Sequence, residues 1–99
     1  MTTFRHVVMF QWAEGATEAQ KEALVEALTK LPGLIPQIWH YTFGRDAGIN
    51  TGTYDFVIVA DFANVDDYLI YRDHPDHRAL SRDLVTPIIA ARAAVQYSL

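Results

Sequence analysis

The chain predicts an α+β protein of the ferredoxin-like βαββαβ type: a four-stranded antiparallel sheet with its helices on one face. Three observations carry this. Four segments have the β-branched, aromatic and alternating character of strands, and helical stretches separate them in the order βαββαβ. The run "YDFVIVADF" at 54–62 is the strongest of the four, bounded by a polar turn before it and a helix cap after it. Finally, 99 residues allow only one small domain, and 51% hydrophobic with 20% charged residues fits a packed chain.

The first strand spans Phe4 to Trp12, with His6, Val8, Phe10 and Trp12 on one face and Arg5, Val7, Met9 and Gln11 on the other. Gly15 ends it. Thr17 followed by Gln20 forms a capping-box pattern, and Leu24, Leu28 and Leu31 recur at helical spacing until "LPG" at 31–33, which is expected to stop the helix. A second strand is predicted from about Ile38 to Phe43, and "RDAGINTGT" at 45–53 is a turn. Asn64 caps a short helix from Val65 to about Arg72, and "DHP" interrupts it. Pro75 then opens a further helix to about Val85, Pro87 ends it, and the last strand covers about Ala91 to Tyr97.

The sheet face away from the helices pairs Val7 and Met9 with Val57 and Val59, with Arg5, Gln11, Asp55 and Asp61 at its margins. An apolar centre with a polar rim predicts a homodimer made through this face. Nucleic acid is excluded as a partner by the net charge of −4 and the scatter of the eight basic residues. No apolar run approaches the roughly 20 residues that span a bilayer, so no membrane partner is expected. The opening "MTTFRHVVMFQW" does not have the pattern of a secretory signal, and a cytoplasmic location is expected. The chain has no cysteine, which removes disulfides and thiol chemistry.

The chemistry concentrates in "YRDHPDHRAL", 71–80. Pro75 at the first helical position puts His77 in line with Leu80, Leu84 and Ile88, aiming it inward, while Arg78 and Arg82 face out. Burial and a helix N-terminus both disfavour imidazolium, so His77 is expected to be neutral and able to act as a general base. Tyr71 can donate to a developing oxyanion. Both could equally be core groups satisfied by backbone and tyrosine partners. His74 is expected to be structural, its side chain closing the kink onto backbone. His74 and His77 find no third ligand at suitable spacing, because Asp73 and Asp76 turn away, and no metal is expected. His40, between Trp39 and Tyr41, reads as an edge or surface residue.

"FRHVVMFQW", "YDFVIVADF" and "VDDYLIYRDHPDH" together resemble the stress-responsive dimeric A/B-barrel (Dabb) family, most specifically in the Tyr–x–x–His–Pro–x–His run. The resemblance covers nearly the whole chain, so residues 1–99 are expected to be a single Dabb domain. It implies a dimer whose sheets close into an α/β barrel. One member of that family is a plant polyketide cyclase that closes an aromatic ring by aldol condensation in a pocket between sheet and helices. By position its tyrosine and histidine match Tyr71 and His77, and a first-strand histidine matches His6. A pocket histidine on its third strand is replaced here by Phe56. The resemblance therefore implies catalytic roles for His77 and Tyr71, with His6, Val8, Phe10, Phe56 and Ile58 lining a small apolar ligand pocket. No cofactor is implied. Some relatives hold magnesium on backbone oxygens near the end of the first helix, where this chain has Pro32, Ile35 and Ile38.

The readings left open are a cofactor-independent cyclase, aldolase or isomerase on a small aromatic or polyketide-like molecule, and a non-catalytic, stress-associated dimer or larger oligomer. A monooxygenase of the related barrel type is a third, by fold analogy alone.

Overall fold

A computed structural model describes residues 2–99. The strands are β1 (Phe4–Trp12), β2 (His40–Arg45), β3 (Phe56–Phe62) and β4 (Ile89–Ser98). The helices are α1 (Glu18–Leu34), α2 (Val65–Asp73) and α3 (Pro75–Leu80). All strand pairs are antiparallel, in the spatial order β2-β3-β1-β4, which is the expected ferredoxin-like βαββαβ sheet.

Local chemistry places the helix starts. The Thr17 side chain accepts the Gln20 amide, and the Gln20 side chain accepts the Thr17 amide in return. Asn64 caps α2 by accepting the Asp67 amide. "LPG" does not stop α1, which runs through Pro32 to Leu34. In the last turn the missing proline N–H removes only one hydrogen bond, and the Ile35 amide still reaches the Leu31 carbonyl at 3.1 Å.

The predicted second helix of the motif changes pitch. After α3 the chain makes a π-helical turn, Ser81–Val85, and a 3-10 turn, Thr86–Ile88. The Thr86 hydroxyl donates to the Ser81 carbonyl, five residues back, at 3.0 Å. The wider turn shifts the inward stripe by one residue, so Val85 is buried where Leu84 was expected, and Leu84 is only half-buried.

Cross-strand register decides the two faces of the sheet. Toward the helices, His6, Val8 and Phe10 of β1 join Phe56, Ile58, Ala60 and Phe62 of β3, all buried, over Leu24, Leu28 and Leu31 of α1. On the other face, Val95, Val7 and Val59 form one direct cross-strand row, and Ala93, Met9 and Val57 form the next. Tyr97, Arg5, Asp61 and His40 make the polar row beside them. There Arg5 Nε and the buried Asp61 carboxylate lie 2.8 Å apart, with a second guanidinium bond at 2.9 Å. Among the described residues no element covers the apolar rows, and Val95 is 56% exposed. His40 is exposed on the edge strand β2, as expected.

Candidate functional site

The break between α2 and α3 builds one wall of the site. Pro75 has no N–H, so the helix cannot continue its hydrogen-bond ladder across it. The Tyr71 carbonyl, which residue 75 would have served, is instead met by the His74 amide at 3.2 Å. The Asp76 amide, which would have served Arg72, donates to His74 Nδ1 at 3.1 Å. His74 is therefore the structural cap of α3, with its ring on backbone. The Arg72 carbonyl is left free, and His77 Nδ1 takes it at 3.0 Å. A carbonyl only accepts, so His77 Nδ1 carries the proton and Nε2 of the neutral ring is a bare lone pair.

The sheet supplies the opposite wall. Gln96, paired with His6 across β1 and β4, donates its side-chain N–H to His6 Nδ1 at 3.0 Å and to the Tyr68 hydroxyl at 3.1 Å. His6 Nδ1 must then be the acceptor, and the proton sits on Nε2. His6 Nε2 has no protein partner among the described residues. No side-chain polar atom among them is sealed without a partner, so this N–H opens onto the cavity.

The two imidazoles face a cavity of about 200 Å³ between the sheet and the helices. That is below the roughly 300 Å³ at which pockets for drug-sized ligands begin. Its apolar walls include Val8, Phe10, Leu28, Ile58, Leu80, Val85 and Ile89, and its polar groups are His6, His77, Tyr41, Tyr68, Tyr71, Ser81, Thr86, Arg72 and Arg92. The Tyr71 ring packs on the His77 ring with centroids 4.2 Å apart. Tyr71, 2% exposed, shares a 2.9 Å hydrogen bond with the Tyr41 hydroxyl. Two hydroxyls joined by one bond use one proton, so the pair keeps one O–H to offer.

Electrostatics keep both imidazoles neutral. Burial, then the Arg92 charge, then His77 push His6 down from 6.5 to about 4. Burial also lowers His77, against the opposing effect of its bond to the Arg72 carbonyl, with Arg92 adding to the depression. Burial raises Tyr41 to about 12 and pushes Tyr71 well above the ordinary phenol range.

The structure brings His6, Val8, Phe10, Ile58, Tyr71 and His77 together around this cavity. Phe56 does not join them. It lies two residues along β3 from Ile58, stacked on Phe10 and Phe43 and tilted against Trp12, so the cavity's β3 wall is Ile58. The expectation that Phe56 lines the pocket is corrected accordingly. Tyr41, Tyr68, Gln96 and Arg92 were not foreseen. The alternation of β4 carries a signal for the last two, since Arg92, Ala94 and Gln96 share one face, but only the strand register shows that this face looks into the cavity.

Among the described residues, no three histidine, cysteine or carboxylate side chains gather as a metal site. The segment from Pro32 to Ile38 bears no carboxylate, so a magnesium there would rest on backbone oxygens alone, and the Ile35 carbonyl also accepts the Ile38 amide at 3.2 Å. No helix among the described residues is long and apolar enough to cross a membrane.

A ferredoxin-like α+β domain with an imidazole- and phenol-lined cavity beneath its sheet is the class that fold and site define. The chain belongs to the Stress responsive A/B Barrel Domain (Dabb) family, whose model matches residues 4–99. It is similar to a dimeric ferredoxin-like protein of unknown function from Thermobifida fusca, with 43% identity and a TM-score of 0.91 over 99% of this chain and 92% of that one. A Dabb family protein from Mesorhizobium loti with a ferredoxin-like fold is 25% identical, with a TM-score of 0.81 over 98% and 96% of the two chains. The hydroxynitrile lyase of Passiflora edulis shares the fold at 16% identity, with a TM-score of 0.87 over 98% and 93%. No curated protein matches the chain.

The depressed imidazoles predict how stability depends on pH. An unfolded chain binds protons at its histidines near 6.5, whereas folded His6 resists protonation until about 4. The unfolded state therefore binds more protons in between, and this contribution is complete above pH 6.5 and lost as pH falls toward 4. Glu18 and Asp61, held below their ordinary values of 4.5 and 3.8, begin to release their contributions only as pH falls through those values. Urea unfolding should show wild type losing stability between pH 6.5 and 4.5. His6→Gln, whose amide oxygen can still accept from Gln96, should lose less, by on the order of 1 kcal/mol in this partly wetted site.

Proposed function

We propose that the cavity binds a small, mostly apolar molecule and moves a proton on it without a cofactor, in the manner of an aldolase, cyclase or isomerase. One observation carries this reading: two neutral imidazoles meet one cavity with their free Nε2 atoms in opposite protonation states. His77 Nε2 is a lone pair and His6 Nε2 is an N–H. His77 takes a proton from a carbon next to a carbonyl, and the released electron pair moves onto the carbonyl oxygen. That oxyanion is received by His6 Nε2–H or by the O–H left over from the Tyr41–Tyr71 pair. Returning the proton from His77 to carbon or oxygen closes the cycle.

A second reading rests on the other nitrogens. His77 Nδ1 satisfies the carbonyl exposed by the Pro75 break, and His6 belongs to a Gln96–Tyr68 network, as structural histidines would. His77→Gln separates the two, since its side-chain N–H can still serve the Arg72 carbonyl while its amide is no base. With acetophenone in D2O, wild type should accelerate methyl-group deuteration over buffer, and His77→Gln should lose this by 10²-fold or more with its thermal midpoint nearly unchanged. A wild type no faster than buffer overturns the proton-transfer reading.

We also propose that a second copy of the chain covers the bare sheet face and that the pair forms the barrel. The support is the uncovered valine and methionine rows and the dimeric state of the 43%-identical T. fusca protein. Sedimentation should give twice the 11.2 kDa chain mass for wild type. Val95→Glu, which puts a charge at the end of the apolar row on edge strand β4, at an already exposed position, should sediment as a folded monomer.

A further inference from the structure

We infer that the cavity is a site for a carboxylate-bearing small molecule, and that the Arg92 guanidinium receives the carboxylate. The inference rests on the ligand pocket proposed above and adds the chemical class of its occupant.

The cavity's charged lining has a single sign. Arg72 and Arg92 border it and no aspartate or glutamate does, although the chain as a whole carries −4. The two arginines are not equivalent. Arg72 is taken up by Asp73 in a two-pronged bond of 2.9 and 3.0 Å. Arg92 makes no ion pair or side-chain hydrogen bond among the described residues. Its position also excludes the dimer face as the reason for its charge. Arg92 pairs with Phe10 across β1 and β4, and that register turns it to the helix side of the sheet, away from the valine rows.

Arg92 lines the same cavity as His6 and His77, so a carboxylate seated on it would share that cavity with both rings; its charge also disfavours protonation of both. A more open depression next to it shares Arg72, His77, Ser81 and Thr86 with the cavity and is bordered by Arg78 and Arg82. Arg82 is held by Asp83, whereas Arg78 has no ion-pair partner among the described residues. An anion approaching by this route meets more positive than negative charge at the mouth. A guanidinium with open N–H groups beside apolar walls matches a planar carboxylate on a compact hydrophobic body, such as a single-ring aromatic acid. About 200 Å³ leaves room for one ring.

The probes are benzoate and benzamide, which share size and shape and differ in charge. Binding would be followed by amide chemical shifts of Tyr71, His77 and Arg92 in wild type, Arg92→Gln and Arg92→Lys. Wild type should bind benzoate roughly ten-fold more tightly than benzamide. Arg92→Gln should abolish that preference by weakening benzoate far more than benzamide, and Arg92→Lys should keep part of it. Equal binding of both probes to wild type, or a preference that survives Arg92→Gln, overturns the carboxylate assignment and leaves the pocket standing. No shift with either probe up to its solubility overturns the assignment together with the pocket.

Discussion

The absent N–H of Pro75 is the constraint on which the site depends. Without it, three backbone groups at the α2–α3 break change partners in sequence, and the Arg72 carbonyl is the one left over. The His77 ring meets that carbonyl at 3.0 Å, and the bond fixes the ring's orientation. The same bond decides which nitrogen bears the proton. One proline thus sets the position, orientation and tautomer of an imidazole whose other nitrogen faces a cavity. Tyr71, whose ring packs on His77 and whose hydroxyl is fixed by Tyr41, prevents that imidazole from rotating freely.

The sheet accomplishes the complementary result over a far longer loop of chain. Gln96 lies 90 residues from His6, and the β1–β4 register puts them opposite each other. A one-residue slip would turn Gln96 and Arg92 to the other face and bring Val95 inward. Along β4, Arg92, Ala94 and Gln96 share the face of His6 and Phe10, while Val95 and Tyr97 lie on the face that continues the valine rows. The tautomer of His6 is therefore a consequence of sheet registry, as that of His77 is a consequence of a helix break. Neutrality of both rings follows from burial and from Arg92, against the opposing charge of Asp73 at His77.

Much of this is written locally and can be read there. Thr17 with Gln20, Asn64 and Pro75 mark helix starts through bonds made within three residues, and the alternation of 4–12 separates the two sheet faces before any partner strand is known. The Tyr71–His77 pair is legible because both lie on one short run. What is not legible depends on distant geometry. The π turn at Ser81–Val85 moves the inward position from Leu84 to Val85, although the local leucine spacing favours a regular helix. Phe56 and Ile58 share a face, and only the distance along β3 separates the aromatic cluster from the cavity wall. Tyr41 and Tyr68 read as ordinary aromatic residues until their hydroxyls are seen to meet Tyr71 and Gln96.

The central claim is that the two imidazoles are neutral and oppositely protonated. Long-range proton–nitrogen NMR of the histidine rings at pH 7 reads this directly, because the pattern of couplings and nitrogen shifts distinguishes the two tautomers from each other and from imidazolium. The structure predicts an Nδ1–H signature for His77 and an Nε2–H signature for His6. The same tautomer at both sites, or an imidazolium at either, would contradict the account.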